Sequence, residues 1–286
     1  MDMYFVVKVS LTSVSFVANM FTIVPHVADP LRVFQSRSSM FVLNITVIDC
    51  TLSLLWLILL TLIEVYQKES NSNQYLLLLS NVVVRITSMT AMAYFSLALE
   101  LYFSISRPFW HRAKLTPKVC RYWIVLTWVF HYTFQELTLT FILADTYEGV
   151  LIVVYSVIFF FIIQSLHLAT FISLRKQSQA MQQQRDEANI KALKVRQRNE
   201  KRFLTTIAIL SITMTVCFCP YFVYIILVKF PHLALDTNDK VWEWLGFLAH
   251  CLIIINAMIN PFFYLWRLPK YKKTFKEVYC KCLKQQ

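Results

Sequence analysis

The stretch 256-NAMINPFFYLWRLPKYKKTFKEVYCKC-282 passes from an apolar run into a basic one within a few residues. Asn260 and Pro261 stand late in the apolar part. A proline inside a helix removes a backbone hydrogen bond and clashes with the turn before it, at about 3 kcal/mol. Membrane helices tolerate this where neighbouring helices re-satisfy the freed groups. Beyond Tyr264, residues Tyr271, Phe275, Val278 and Tyr279 share one helical face with lysines opposite. That pattern predicts an amphipathic helix lying in a membrane interface. Cys280 and Cys282 at its end either carry palmitate or are plain reduced thiols.

The composition of the whole chain agrees. Of 286 residues, 57% are hydrophobic, 15% are charged and only two are glycine. A soluble protein of this length needs more polar surface. A bilayer crossing takes roughly 20 apolar residues as a helix. Such stretches occur at about 3–27, 40–66, 75–105, 119–143, 150–174, 203–229 and 241–266. None alternates as a membrane β-strand does. The fold predicted is therefore all-α, a bundle of seven transmembrane helices over 1–266, with 267–286 as the amphipathic helix and tail. The first span starts near Met1 without a basic leader and exceeds a signal peptide's core of roughly 7–15 residues, so it reads as an uncleaved anchor.

The net charge of +12 would suit nucleic acid or a membrane surface, and its placement decides between them. Of 28 Lys and Arg, 23 lie in 28–39, 106–122, 175–202 and 267–286. These are alternate connections plus the tail, which the positive-inside rule makes cytoplasmic. The charge is thus topological, the N-terminus is expected outside, and nucleic acid is excluded as a partner. The connector 175–202 holds strong helix formers and no Gly or Pro, and reads either as helical extensions of its flanking spans or as a charged loop.

With seven spans placed, Asn260-Pro261-Phe262-Phe263-Tyr264 matches the Asn-Pro-x-x-Tyr pattern of a seventh helix. Span two reads 43-LNITVIDC-50, span three ends in 100-ELYFSISRPFWHR-112, and span six carries 217-CFCPYF-222. Asn19 and Trp128 stand in spans one and four in register with these. Over nearly its whole length the chain resembles the rhodopsin-like (class A) G-protein-coupled receptors. The resemblance implies a plasma-membrane receptor that passes an extracellular signal to heterotrimeric G proteins, with arrestin a further partner at the cytoplasmic face.

An ionised Asp at membrane depth costs a few kcal/mol, so Asp49 should face the bundle interior. The family pattern offers Thr90, Asn256 and Asn260 as its polar neighbours and implies a sodium ion among them; a protonated Asp hydrogen-bonded between helices is the alternative. Pro220 and Pro261 each weaken one helical turn, and the resemblance gives them, with Glu100, Leu101, Tyr102, Glu200 and Tyr264, the role of switch motifs. Facing the expected ligand cavity are Val83, Thr87, Phe218, Tyr221, Phe222, Ile225 and His250. That aromatic and apolar lining fits a small or lipid-like ligand, or simply a packed core.

Departures from the pattern narrow these expectations. The motif arginine at the foot of span three is Leu101, although both acids, Glu100 and Glu200, remain. A leucine forms neither the resting ion pair nor a polar contact to a transducer, so a non-coupling decoy or heteromer partner is the runner-up. The disulfide cysteine at the top of span three is Leu76, so that bridge cannot form. In these absences the chain is similar to the melanocortin, cannabinoid and adenosine receptor group. The retinal-holding lysine is Ile254, which excludes retinal, and the amine-pairing aspartate is Val83. Arg85 in span three either meets a ligand, pairs with Glu136 or reaches outward. A transporter would show repeated halves with interrupted helices, and an enzyme a reactive cluster such as H-E-x-x-H; the sequence shows neither.

Overall fold

A computed structural model describes residues 3–31, 37–66, 73–141, 145–183, 205, 209, 211–224, 226–227, 239–267 and 269–280. These are helical almost throughout, with no strand among them. The long helices are α1 (Met3–Ala28), α2 (Arg37–Tyr66), α3 (Asn73–Ser106), α5 (Pro117–Phe141), α6 (Asp145–Gln183) and α8 (Asp239–Arg267). The continuous described part of span six is α7 (Ser211–Tyr224). Two short helices complete the set, α4 (Pro108–Lys114) after span three and α9 (Pro269–Phe275) in the tail.

Among the described residues a helix overlaps each of the seven apolar stretches. Helices α1, α2, α3, α6 and α8 are long and apolar enough to cross a membrane, and α7 is apolar over its shorter described length. Helix α5 is diluted by Lys118, Arg121 and Gln135 but runs 25 residues. Helix α6 continues to Gln183, past the expected end at 174, so the basic connector begins as helix. Residues 184–204, Glu200 included, lie outside the described residues.

The bundle carries apolar residues on its outer surface as well as in its core, and buries much of its polarity. On α1, Val14, Val17, Phe21 and Val24 are exposed, while Thr12, Ser15, Asn19, Thr22 and His26 are buried. The buried set recurs every three or four residues, one face of a 3.6-residue helix. This inverts the soluble rule and is what lipid outside requires. Helix α3 stands at the centre, packed on α2, α4, α5 and α6, while α1 packs on α2 and α8. The core joins Ile45 and Ile48 of α2, Met89, Ala93 and Tyr94 of α3, Ile163 of α6 and Phe218 of α7.

Helix ends follow from local chemistry. After α1, Asp29 takes a positive φ of 28°, which Asp tolerates better than most residues. Its N–H still reaches the Pro25 carbonyl at 2.9 Å. Helix α4 opens with Pro108 in its first turn, where a missing N–H costs nothing. In the tail, α9 widens into a single π-turn over Lys276–Cys280. Within this turn Tyr279 lies against α1, its ring 4.9 Å from that of Phe21.

Candidate functional site

Asp49 of α2 is fully buried at the centre of the bundle. Its Oδ2 accepts from Nδ2 of Asn260 in α8 at 2.8 Å. The same amide donates to the Tyr94 phenol oxygen of α3 at 2.5 Å, and Asn256 donates to that oxygen at 3.0 Å. One phenol thus takes two amides, and α2, α3 and α8 are tied by a single buried polar bridge. Thr90 gives its hydroxyl hydrogen to the Ile86 carbonyl of its own helix at 3.3 Å, one turn above Tyr94.

The bridge extends to α1. Ser53 donates to the Asp49 carbonyl at 2.7 Å, and its hydroxyl meets that of Ser15 at 2.9 Å. Asn19 donates to the Ser15 carbonyl at 2.9 Å and to the Ala257 carbonyl at 3.2 Å. Ala257 lies four residues before Pro261, so its carbonyl is the one that the proline leaves without a helical donor. Asn19 supplies the missing hydrogen bond. The Asn-Pro pair is tolerated in α8 because Asp49 and Tyr94 engage the amide and α1 repairs the backbone.

At the foot of α3 the carboxylate of Glu100 is 2% exposed. Ser38 of α2 donates to its two oxygens at 2.9 and 3.0 Å, and Nε2 of His111 in α4 lies 3.1 Å from Oε1. Leu101 is half-buried and packs against the main core. Tyr102 is half-buried, its ring 5.6 Å from that of Phe103.

Towards the other end, three aromatic rings surround His250 of α8. Trp56 of α2 lies 5.4 Å away edge-on, Tyr221 of α7 at 6.3 Å and Tyr224 at 5.8 Å. His250 Nδ1 is 2.5 Å from the Gly246 carbonyl. Phe222 sits between Phe218 at 6.0 Å and Phe160 at 5.6 Å. Val83 is 2% exposed and packs with Leu52 and Leu59, and Thr87 bonds the Val83 carbonyl at 2.8 Å. Pro220 is half-buried in α7. His131 of α5 meets the Ser88 hydroxyl at 3.1 Å and the Arg85 carbonyl at 3.4 Å. Ile225 and Cys282, and the side chains of Tyr264, Cys280 and Glu136, lie outside the described residues. Among the described cysteines Cys50, Cys120, Cys217, Cys219 and Cys251 are free.

Tyr94, Ser15, Ser53, Ser38, His111, Trp56 and Tyr224 take part without having been singled out from sequence. Tyr94 and Ser53 carried a signal, each standing one helical turn from a residue that was, Thr90 and Asp49. Ser38 and His111 carried none, because only the docking of α4 brings them to Glu100.

The family model described as 7 transmembrane receptor (rhodopsin family) matches residues 18–264, and the chain belongs to this family. It is accordingly a multi-pass membrane receptor that signals across the bilayer, and not an enzyme. Membership brings with it a lipid environment and a G protein as the class of intracellular partner. No curated protein matches the chain.

Proposed function

We propose that this receptor carries the signal of a small or lipid-like extracellular ligand to heterotrimeric G proteins at the plasma membrane. The N-terminus lies outside and the basic connections lie in the cytosol. The observation that carries this reading is the buried bridge from Asp49 through Asn260 and Tyr94 to Asn256. It joins three helices beside Pro261, between an aromatic outer end and the acid Glu100 at the other. A bistable element at mid-membrane is what coupling two distant faces requires. The buried Oδ1 of Asp49 has no hydrogen-bond partner among the described residues. An all-oxygen acceptor of that charge suits a hard cation such as sodium, which Asp49 would hold with the Thr90 hydroxyl; its charge would offset the carboxylate. Recruitment of a panel of G proteins and arrestin in cells, with surface expression measured alongside, tests the reading. Agonist-free or ligand-evoked recruitment supports it.

A second reading is a non-coupling decoy or heteromer partner, and Leu101 favours it. Its side chain packs into the core where a transducer contact needs a cation. Silence across the panel at full surface expression, relieved by Leu101→Arg, supports this reading over the first.

A further inference from the structure

We infer that the ring cluster around His250 recognises an uncharged carboxamide on an apolar body, held by the indole N–H of Trp56 and Nε2 of His250. This rests on the small-ligand receptor reading above and names the chemistry of its ligand.

A carbonyl oxygen only accepts, so the 2.5 Å contact between His250 Nδ1 and the Gly246 carbonyl places the ring proton on Nδ1. In the neutral imidazole Nε2 then presents a lone pair. Trp56 stands against this ring edge-on, with centroids 5.4 Å apart and planes at 84°. Its indole nitrogen can only donate. That N–H is buried and meets no acceptor among the described residues, where a buried indole normally has a partner. The cluster therefore offers one donor and one acceptor on adjoining rings.

The surroundings select against a cationic ligand. Trp56, Tyr221, Tyr224 and Gly246 around the imidazole carry no charge, and the ammonium of Lys8, which lies over the Phe247 ring, acts on His250 from α1. An ammonium group finds a like charge there, and a carboxylate, although Lys8 attracts it, would set its oxygens against the His250 lone pair. An ester or ether accepts from Trp56 but leaves Nε2 unmatched. A carboxamide answers both, its carbonyl accepting from Trp56 and its N–H donating to His250. The aromatic faces and the neighbouring apolar cluster of Leu52, Leu59 and Val83 suit a hydrocarbon body.

The test uses the full-length receptor in lipid nanodiscs and four probes of one chain length: a long-chain fatty-acid primary amide, its methyl ester, the free acid and the corresponding amine. Binding is read from the shift in thermal unfolding with probe concentration. The amide should act at about tenfold lower concentration than any other probe, one hydrogen bond's worth, and a more potent free acid would overturn the assignment in favour of an anion held by Lys8. Trp56→Phe and His250→Phe keep the ring shapes and should each bring the amide down to the potency of the ester. Equal potency of amide and ester on the native receptor, or no shift with any probe, overturns the assignment. Agonist-free transducer recruitment needs no ligand, so it judges the receptor reading separately.

Discussion

Tyr279 of the tail donates its phenol hydrogen to the backbone carbonyl of Phe21 in α1, at 2.9 Å. Pro25 stands four residues beyond Phe21, inside α1, and leaves that carbonyl without its helical donor. The Tyr279 ring also packs on Phe21 at 4.9 Å and on Phe275 at 5.7 Å. A helix defect in a span is thus repaired by a side chain from the tail, as Asn19 repairs the carbonyl before Pro261.

Tyr279→Phe keeps the ring contacts and removes the hydrogen bond, worth about 0.5–1.5 kcal/mol. Amide hydrogen exchange over 269–280 should quicken several-fold while α3 and α8 stay unchanged. Partial burial raises the Tyr279 phenol above its ordinary value of 10.0. A raised phenol contributes fully below the unfolded value and loses its contribution as pH climbs through the folded one. Exchange in the tail should therefore be flat from about pH 6 to about pH 9, after correction for the intrinsic rate, and rise only above about pH 10. A tail that loosens near neutrality would show that the phenol is not what holds it.

Tyr94→Phe strips the shared acceptor from Asn256 and Asn260. Asn260 keeps Asp49, but Asn256 is left a buried donor, at about 1–3 kcal/mol. Thermal stability of the purified receptor should fall accordingly. With α3 released from α8, agonist-free transducer recruitment should rise. Unchanged stability would mean that the bridge has another acceptor, and the account of the switch would fail with it.

Glu100 is buried between Ser38 and His111, so α4 docks on the foot of α3 through a carboxylate. His111→Ala leaves that acid with the Ser38 hydroxyl and the more distant charge of Arg37 and should undock α4, at about 1–3 kcal/mol. The helix at 108–114 should then lose exchange protection and become open to limited proteolysis. Glu100→Gln, of the same shape, should restore part of that protection in the His111→Ala background by removing a buried charge that has lost its hydrogen-bond partner in α4. If protection over 108–114 does not change in the single variant, the pair is incidental to docking.

The bundle was readable because lipid makes one demand along the whole chain: apolar length, with lysine and arginine left at alternate ends. Helices α1, α2, α3 and α8 accordingly end within a few residues of the expected bounds. Asp49 and Asn260 were readable as partners because an acid at membrane depth needs company and the family pattern supplied it. Tyr94 escaped because a tyrosine within an apolar run reads as packing, and only its hydroxyl's position distinguishes it. Trp56 escaped for the same reason. His111 escaped because its role depends on a turn between two helices, which periodicity does not encode. The two proline repairs required knowing which side chain lies four residues upstream in space, a tertiary fact.

Gly246 sets two effects against each other. A Cβ there would lie 3.0 Å from Cε2 of Tyr224 and 3.1 Å from its Cζ and Oη. Those atoms are the far end of a flexible side chain, so Tyr224 can turn aside without displacing the helix. Alanine also gains about 0.8–1.0 kcal/mol of helix propensity over glycine, which offsets the lost ring contact. Gly246→Ala should therefore leave thermal stability within about 1 kcal/mol of the native receptor. The ring that turns aside is one of the three around His250, 5.8 Å from it. Probe binding at that cluster should weaken several-fold while the protein remains as stable as before. Stability lost by several kcal/mol would show that Tyr224 is rigidly packed, and that glycine is needed there for the fold and not for the site.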